Sequence, residues 1–416
     1  MKSKQNGYYL PTNLAPAENQ YPGHSQVKHL TLMVDATNIC QLGCSYCYFG
    51  EKGCKLMNPD LIFQATKNFV EAIGPQVELV NLHYMGGEPL IGWEKILILN
   101  QTMTNYAQEK GFRFIWSLTS NLVELDEEKK EHMLKEKAEI HCSIDGPQFI
   151  QDNNRPFKSG SGSFAIVDKH IDNALEISPN DFARVTVTPF SSHYLPEITS
   201  YLFNKGFPGI GLYPAENMTW EEGDLEAWST GIRKSFELAK EKDKILSTVV
   251  HPHKNNRSFS YCGAARSLWG LDVEGKLYSC HHFTNHPEKA IIDAANSSAE
   301  EIKASINRPY LAPQNIQLPT ACQDCPASDY CYGGCWADNE TKSGNAYLPN
   351  SISCTFQKIT FNSLQDYILD PAIDTKIENY CMICGQCQRM TCCSCNGCVK
   401  CDYSCNKGQG KCWVFD

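Results

Sequence analysis

The sequence predicts an α/β fold: a partial (β/α)6 barrel of the TIM type, followed by a small cysteine-rich domain and a cysteine-rich tail. Short β-rich runs alternate with amphipathic helical patterns from residue 30 to 245, and turn-rich segments with closely spaced cysteines follow. Strand–helix alternation is typical of a parallel sheet covered by helices. In a barrel of this kind the chemistry lies at the carboxyl ends of the strands.

The six predicted strands are runs rich in β-branched and aromatic residues, bounded by turn residues. They lie at 30–34, 77–85, 112–118, 139–144, 184–189 and 210–214. An amphipathic pattern follows each strand, and the six helices are predicted at 60–73, 93–110, 127–138, 164–177, 195–206 and 225–243. After residue 250 we expect little regular structure, with metal rather than an apolar core stabilising the chain, before a last helix and linker at 356–380.

Composition and charge restrict the function. The 416 residues carry a formal net charge of −10 with scattered basic residues, which argues against nucleic-acid binding. Neither a secretory signal nor an apolar run of about 18 residues is present, so we expect a cytoplasmic protein with no membrane segment. In a reducing compartment, the 22 cysteines indicate metal ligands rather than disulfides.

Three cysteines follow directly on the first predicted strand, in the run Cys40-Gln-Leu-Gly-Cys44-Ser-Tyr-Cys47. Three thiolates leave one iron of a [4Fe–4S] cluster open, whereas structural sites usually have four protein ligands. The spacing C-x3-C-x2-C, with Tyr46 and Tyr48 beside the last cysteine, resembles the signature of the radical S-adenosylmethionine (SAM) superfamily. A zinc knuckle is the alternative. The resemblance covers residues 30–245, and it implies that SAM binds the open iron and yields a 5′-deoxyadenosyl radical.

Two further motifs resemble the same family. The second strand ends in Gly86-Gly87-Glu88-Pro89, and the fourth ends at Ser143-Ile-Asp-Gly-Pro147 with Arg155 eight residues later. The resemblance implies that Gly86, Gly87 and Glu88 meet the amine of SAM. It places Ser143 and Arg155 near the ribose and carboxylate, for which a guanidinium is well suited. Ordinary turns and a surface arginine are the alternative, and Asn121 is a weaker candidate.

The downstream cysteines form a second array that resembles the SPASM extension of radical SAM peptide and protein maturases. Its seven members are Cys262, Cys280, Cys322, Cys325, Cys331, Cys335 and Cys354. The resemblance implies an outer auxiliary [4Fe–4S] cluster and an inner one. The outer cluster takes Cys322, Cys325, Cys331 and Cys354, and the inner one takes Cys262, Cys280 and Cys335. Zinc is the alternative, because C-x2-C pairs bind it equally well.

The inner part of this array departs from its relatives at two places. Some relatives supply a fourth ligand six residues after the first cysteine, where this chain has Leu268. The inner cluster therefore has an open iron for a substrate thiolate, or takes a ligand from elsewhere in the chain. Relatives that oxidise sulfatases have an Asp base directly after the cysteine that corresponds to Cys280. This chain has His281 and His282 there. Sulfatase maturation is thereby disfavoured, and His281 becomes the candidate base; packing or surface histidines are the alternative.

The tail from Cys381 to Cys412 contains ten cysteines, eight of which form two imperfect ferredoxin-like runs, with Cys393 and Cys412 left over. Three interpretations stay open: an additional iron–sulfur or zinc module, a fused or mimicked cysteine-rich substrate peptide, and a disordered or redox-active tail.

These observations divide the chain into an N-terminal extension (1–29), a radical SAM barrel (30–245), a SPASM domain (246–360) and a linker with the cysteine-rich tail (361–416). We expect an oxidoreductase-type maturase that joins a cysteine sulfur to carbon in a ribosomally made precursor peptide. Carbon–carbon crosslinking, epimerisation and sulfatase-type oxidation are the enzymatic alternatives, and an iron–sulfur electron carrier or scaffold is the non-enzymatic one. Expected partners are a reductant such as flavodoxin or ferredoxin and a separate leader-binding protein, since residues 1–29 are too few for a leader-binding domain.

Overall fold

A computed structural model of the chain describes residues 27–50, 52–250, 264–306, 322, 324–328, 330–331, 334–346 and 348–368. Its first half alternates strands with helices. The strands are β1 (His29–Thr37), β2 (Leu79–Gly86), β3 (Arg113–Ser120), β4 (Glu139–Cys142), β5 (Phe182–Val187), β6 (Gly209–Pro214) and β7 (Ile245–Ser247). The helices are α1 (Pro59–Ile73), α2 (Trp93–Lys110), α3 (Glu127–Glu136), α4 (Gln148–Asn154), α5 (Phe164–Ile177), α6 (Pro189–Ser192), α7 (Leu195–Asn204) and α8 (Glu222–Glu241).

The strands of this half pair in parallel and in chain order. β1 to β4 lie side by side in one sheet, and β5 to β7 form a second. A bridge between Ser143 and Arg184 joins the two sheets, and Ile144 N donates to Arg184 O at 3.2 Å. All nine residues of β1 are buried, as expected for a central strand covered on both faces. The predicted α/β fold with a parallel sheet is confirmed.

Local sequence signals explain where the helices begin. The side chain of Asn58 caps the amide of Asp60, and Pro59 occupies the first turn of α1, where a missing N–H costs nothing. Asp126 likewise accepts from the amide of Lys129 at the start of α3. Ile62, Phe69 and further apolar residues of α1 then point at the sheet. The apolar faces of the helices thus cover the outside of the sheet, and the ends of the strands are left to carry a site.

The expectation of little regular structure after residue 250 is wrong for the described residues. β8 (Leu268–Leu271) pairs in parallel with β1, and β9 (Lys276–Tyr278) and β10 (Ile292–Asp293) extend the sheet in antiparallel fashion. The helices here are α9 (Ala299–Ile306), α10 (Trp336–Ser343) and α11 (Ser351–Ile368). These strands span two to four residues, and their stability comes from pairing with β1 and one another, so a local pattern does not reveal them.

The last helix begins earlier than predicted and packs on the barrel. α11 starts at Ser351 rather than at residue 356. Its Thr360 hydroxyl accepts from Trp228 Nε1 of α8 at 2.9 Å. The extension before residue 27, Cys262 and the ten cysteines of the tail lie outside the described residues, so the interpretations that concern them stay predictions, as do the domain boundaries. Among the helices described, none combines the length and apolar character that a membrane crossing needs.

Candidate functional site

The loop that carries Cys40, Cys44 and Cys47 leaves the carboxyl end of β1 and is fixed by the turn after β2. Gly87 N donates to Thr37 O at 2.8 Å, and Glu88 N donates to Ile39 O at 2.8 Å. These two hydrogen bonds hold the residues just before Cys40. The strand ends of β1 and β2 therefore set the position of the cysteine loop.

The two glycines of this turn are required by the closeness of that contact. A Cβ on Gly86 would lie 2.0 Å from Thr37 O, and one on Gly87 would lie 2.1 Å from Ile39 O. Gly86 also has a φ of 112°, which disfavours other residues. The glycines thus allow backbone to approach backbone, whereas the sequence alone suggested an approach of backbone to a ligand.

The three cysteines of the loop lie close together. Cys40 is buried, Cys44 and Cys47 are half-buried, and the described cysteines form no disulfides with one another. Burial raises the pKa of Cys44 to about 11, and the negative charges of the other two thiols add to the effect. Lys52 Nζ donates to Cys47 Sγ at 2.6 Å. Three close thiols with a cationic neighbour fit a metal centre bound through thiolates.

Glu88 holds a second element against this loop. Its buried carboxylate accepts from Leu90 N at 3.1 Å, Ser120 Oγ at 2.8 Å and Asn121 N at 2.8 Å. Burial raises its pKa to about 7. The side-chain Nδ2 of Asn121 in turn donates to Cys40 Sγ at 3.7 Å. Glu88 thus positions the end of β3 beside the first cysteine.

Arg155 belongs to a buried polar group next to the cysteine loop. Its Nη2 pairs with Asp145 Oδ1 at 3.0 Å, and its guanidinium lies 5.4 Å from the ring of Tyr46. Tyr46 donates its hydroxyl hydrogen to the same carboxylate. Arg155 Nε is buried and has no hydrogen-bond partner among the described residues. One donor of this cation is therefore available for an anionic group. Burial opposes the charged form, but the charges of Asp145, Tyr46 and Cys44 outweigh burial and raise the pKa of Arg155.

The sequence motifs point to Arg155 and Ser143 but do not identify Asp145 as the ion-pair partner of Arg155. Asp145 lies inside the quoted Ser143–Pro147 motif, so its signal was present as a carboxylate two residues after the serine. Ser143 N donates to Ser120 O at 2.9 Å and the residue bridges to β5. Ser143 therefore lies at the joint between the two sheets of the barrel.

The downstream cysteines gather in two places. Burial, and then the charges of Cys354 and Cys325, raise the pKa of Cys322, so these three thiols lie near one another. Cys280 and Cys335 instead share a small apolar cluster with Tyr278, Phe283 and three alanines. Cys331 is half-buried. Leu268, at the position of the fourth cluster ligand of some relatives, is the first residue of β8 and pairs with Thr31.

The two cysteine loops meet at three aromatic side chains. Tyr48, directly after Cys47, stacks on His282 with ring centroids 5.2 Å apart and meets His281 edge-on at 5.9 Å. Asn285 Nδ2 donates to Tyr48 O at 3.3 Å and to Phe49 O at 3.0 Å. The loop after Cys47 is therefore docked on the segment after Cys280.

His281 itself lies against the second cysteine loop. Its Nδ1 is 3.7 Å from Cys280 Sγ. Desolvation lowers the pKa of His281 well below its usual range, and a positive charge on it would lower the pKa of His83 on β2. His281 is thus a neutral imidazole beside Cys280 and Tyr48.

A buried polar network inside the barrel is not evident from sequence. His83 bonds Ser117 Oγ at 2.8 Å and Thr119 Oγ1 at 2.9 Å, and its ring lies 5.3 Å from that of His141. His141 Nδ1 lies 2.8 Å from Asp181 Oδ1. The available signal was polar residues at every second position of strands that are otherwise apolar. This network gives the lumen a polar lining.

Comparison with known proteins agrees with this geometry. Residues 34–190 match the model of the radical SAM superfamily. The chain is 23% identical over 341 residues to the serine-type anaerobic sulfatase-maturating enzyme of Klebsiella aerogenes, covering 77% of this chain and 83% of that protein. It is 20% identical over 377 residues to the radical SAM cyclopropyl synthase TigE of Paramaledivibacter caminithermalis, covering 83% of this chain and 75% of TigE.

Solved structures share the fold. The structure of native anSMEcpe with bound AdoMet superposes with a TM-score of 0.69 at 16% identity, covering 83% of this chain and 100% of that one. Streptococcus suis SuiB bound to its precursor peptide SuiA gives a TM-score of 0.53 at 13% identity, covering 79% and 76%. The chain therefore carries a radical SAM domain over residues 34–190 and is a homologue of the anaerobic sulfatase-maturating enzymes and of TigE.

Proposed function

We propose that this chain is a radical SAM maturase that forms a thioether crosslink between a cysteine sulfur and a carbon of a ribosomally made precursor peptide. The observation that supports this most is the contact of the two cysteine loops through Tyr48, His281 and His282. A peptide at that contact reaches a site for hydrogen abstraction and a second metal-binding array together. An electron carrier needs no such shared space.

The residues of the first loop fit the group that the family implies. Cys40, Cys44 and Cys47 would hold a [4Fe–4S] cluster, and SAM with this cluster supplies a 5′-deoxyadenosyl radical that removes a hydrogen atom. Arg155, whose buried Nε has no hydrogen-bond partner in the described part of the chain, would hold the carboxylate of SAM. Ser143 would lie near the ribose, and Gly86, Gly87 and Glu88 near the amine. Glu88 also keeps Asn121 beside Cys40.

The second array is proposed to hold two auxiliary [4Fe–4S] clusters. Cys322, Cys325, Cys331 and Cys354 would hold the outer one, and Cys262, Cys280 and Cys335 the inner one. Forming a carbon–sulfur bond removes two hydrogens from the peptide, so the site has to accept a proton. His281 is neutral and lies beside Cys280, which makes it the proposed base. A flavodoxin or ferredoxin would supply electrons, and a separate protein would bind the leader.

Sulfatase-type oxidation of a Cys or Ser is the second candidate. It is favoured by the sulfatase-maturating relative, whose match covers 77% of this chain. Against it stands His281 at the position where the resemblance expects an Asp base. TigE, named as a cyclopropyl synthase, shows that relatives of similar distance carry other chemistry.

Anaerobic reconstitution with SAM, a reductant and a co-expressed cysteine-containing peptide tests this proposal. We expect 5′-deoxyadenosine, a peptide two hydrogens lighter, and one fewer thiol that reacts with iodoacetamide. Oxidation of a serine also removes two hydrogens but leaves every thiol reactive. Epimerisation changes no mass.

A matched pair of cysteine variants provides the control. Cys44→Ala removes a proposed ligand, whereas Cys54→Ala removes an exposed cysteine outside both arrays. We expect Cys44→Ala to abolish 5′-deoxyadenosine formation and Cys54→Ala to retain it. If the two variants behave alike, or if the parent forms no 5′-deoxyadenosine, the enzymatic proposal fails.

A further inference from the structure

A histidine and an aspartate lie beside one cysteine of the inner array. A ring nitrogen of His282, the Sγ of Cys335 and a carboxylate oxygen of Asp338 all lie within 4.8 Å of one another. His282 Nδ1 is 3.2 Å from Asp338 Oδ1, and the thiol of Cys335 hydrogen-bonds Asp338. Imidazole, thiolate and carboxylate are all ligands that zinc and iron accept.

The backbone around this group keeps its members in place. Cys335 is the N-cap of α10, and Asp338 lies one turn further on the same face. The positive end of the helix favours a thiolate at Cys335. His282 lies in a short 3₁₀ turn, His281–Phe283, that directly follows Cys280. Two elements thus bring an imidazole to the cysteines of the inner array.

His282 is also distinguished from its neighbour by where it points. Tyr48 stacks on the His282 ring with an interplanar angle of 19° and so fixes its plane. His281 instead contacts Cys280 Sγ at 3.7 Å and is close enough to His83 to influence it electrostatically. The two adjacent histidines therefore have different polar neighbours: His281 contacts the thiol of Cys280, and His282 contacts Asp338 of α10.

The inner array lacks one ligand by its cysteine count. Leu268, at the position where some relatives have the fourth ligand, has no donor atom in its side chain and is the first residue of β8. We infer that His282 is a ligand of the inner auxiliary cluster beside Cys280 and Cys335, in place of the ligand that Leu268 cannot supply, and that Asp338 orients its imidazole. A histidine bound to metal generally donates its other N–H to a carboxylate, which is the role of Asp338 here.

The inference rests on the auxiliary-cluster part of the proposed function. The ligand set also affects which cluster accepts an electron during the reaction. A neutral imidazole in place of a thiolate leaves the cluster with one negative charge fewer. Histidine ligation raises the reduction potential of iron–sulfur centres. The inner cluster is therefore suited to accept the electron that leaves the peptide when the carbon–sulfur bond forms.

Pulsed EPR on selectively ¹⁵N-histidine-labelled, full-length protein tests the inference. Replacing Cys40, Cys44 and Cys47 by alanine removes the first cluster, so that the reduced spectrum comes from downstream clusters alone. Residues 369–416 contain no histidine, so the tail cannot supply a ¹⁵N-histidine ligand. We expect strong ¹⁵N hyperfine coupling to the reduced cluster, its loss in His282→Gln, and its retention in His281→Gln.

A rescue variant gives a second measurement. His282→Cys is expected to keep the cluster, lose the ¹⁵N coupling and lower the reduction potential. A cluster signal without ¹⁵N coupling in the parent, or coupling that survives His282→Gln, overturns the inference. Zinc that is lost in His282→Gln, with no change in the cluster signal, overturns it in favour of a separate zinc site. If no downstream cluster is present at all, the auxiliary-cluster part of the proposed function fails with it.

Discussion

At the scale of single residues, Asp181 shows how charge is kept inside the barrel. This buried carboxylate accepts from Arg184 Nη1 at 2.9 Å and from the amide of Cys142 at 2.9 Å, and it pairs with His141. Burial opposes its ionisation, but Arg184 and His141 outweigh burial and lower its pKa to about 2. Asp181 therefore ties β4 to β5 where the barrel has no continuous strand ladder.

We expect Asp181→Asn to lower the free energy of unfolding by about 2–4 kcal/mol at pH 7, because Arg184 loses its buried counter-charge. The pKa of Asp181 in the folded protein lies below its ordinary value. The stabilisation of the fold by ionised Asp181 is therefore complete when the pH is above the ordinary pKa, and it declines as the pH falls towards 2. The difference in the free energy of unfolding between the parent and Asp181→Asn should therefore be smaller by about 1 kcal/mol at pH 3 than at pH 7.

Denaturant unfolding at pH 7 and pH 3 measures this difference. Glu176→Gln, at an exposed carboxylate paired with Lys130, is the control, and we expect it to change stability by less than about 0.5 kcal/mol. An equal gap between parent and Asp181→Asn at both pH values would contradict the prediction.

At the scale of elements, the contact of α1 with β8 joins the two halves of the chain. Phe69 of α1 and Trp269 of β8 are fully buried, with ring centroids 5.3 Å apart in an edge-to-face arrangement. Asn68 Nδ2 adds hydrogen bonds to Ala294 O and Ser297 O at 2.9 Å each. A helix predicted from the first half thus packs on strands that come from the second.

Phe69→Ala is expected to cost about 3–5 kcal/mol, since it leaves a cavity against Trp269. Hydrogen exchange should become faster in β8 as well as in α1. Thermal unfolding and exchange by mass spectrometry check both effects, with Ile98→Ala on the exposed face of α2 as the control. If β8 exchanges at the parental rate in Phe69→Ala, the two elements do not stabilise each other.

The sequence predicts best the elements whose signals are local. α2 and α5 have the predicted bounds, because amphipathic spacing and flanking glycines or serines mark their ends. β8 to β10 were missed, because two to four residues carry no period and their stability comes from distant partners. The cysteine arrays are predicted from their spacing, their position along the chain and their resemblance to radical SAM and SPASM sequences. Their contact through Tyr48 and His282 depends on how β1 and β9 are placed, which spacing does not encode.

At the scale of the whole molecule, the contact between the cysteine loops is the feature on which the proposed chemistry depends. The Tyr48 ring joins Cys47, its chain neighbour, to the histidines after Cys280. Since the hydroxyl takes no part in the ring stacking, the contact depends on the aromatic face. Under the proposed function, Tyr48 is thus a positioning residue that sets how the two cysteine loops lie relative to each other.

Tyr48→Ala is expected to uncouple the reaction: 5′-deoxyadenosine forms while less peptide is crosslinked. Losing an aromatic contact worth about 1 kcal/mol corresponds to a loss of about fivefold in crosslinked product per 5′-deoxyadenosine. Tyr48→Phe should restore the parental ratio. Quantifying both products in one reaction checks this, and an unchanged ratio in Tyr48→Ala would show that the stack is not needed.

The pairing of Thr31 with Leu268 also bears on how the protein is made. β1 leaves the ribosome early, but the strand that covers its outer edge is synthesised only after the whole barrel. Until then an apolar strand offers unpaired backbone groups to other nascent chains, which is a known route to aggregation. Soluble expression should therefore depend on the presence of the second half. Low temperature or chaperones during synthesis should raise the soluble yield of the full chain more than the soluble yield of a barrel truncated before residue 264.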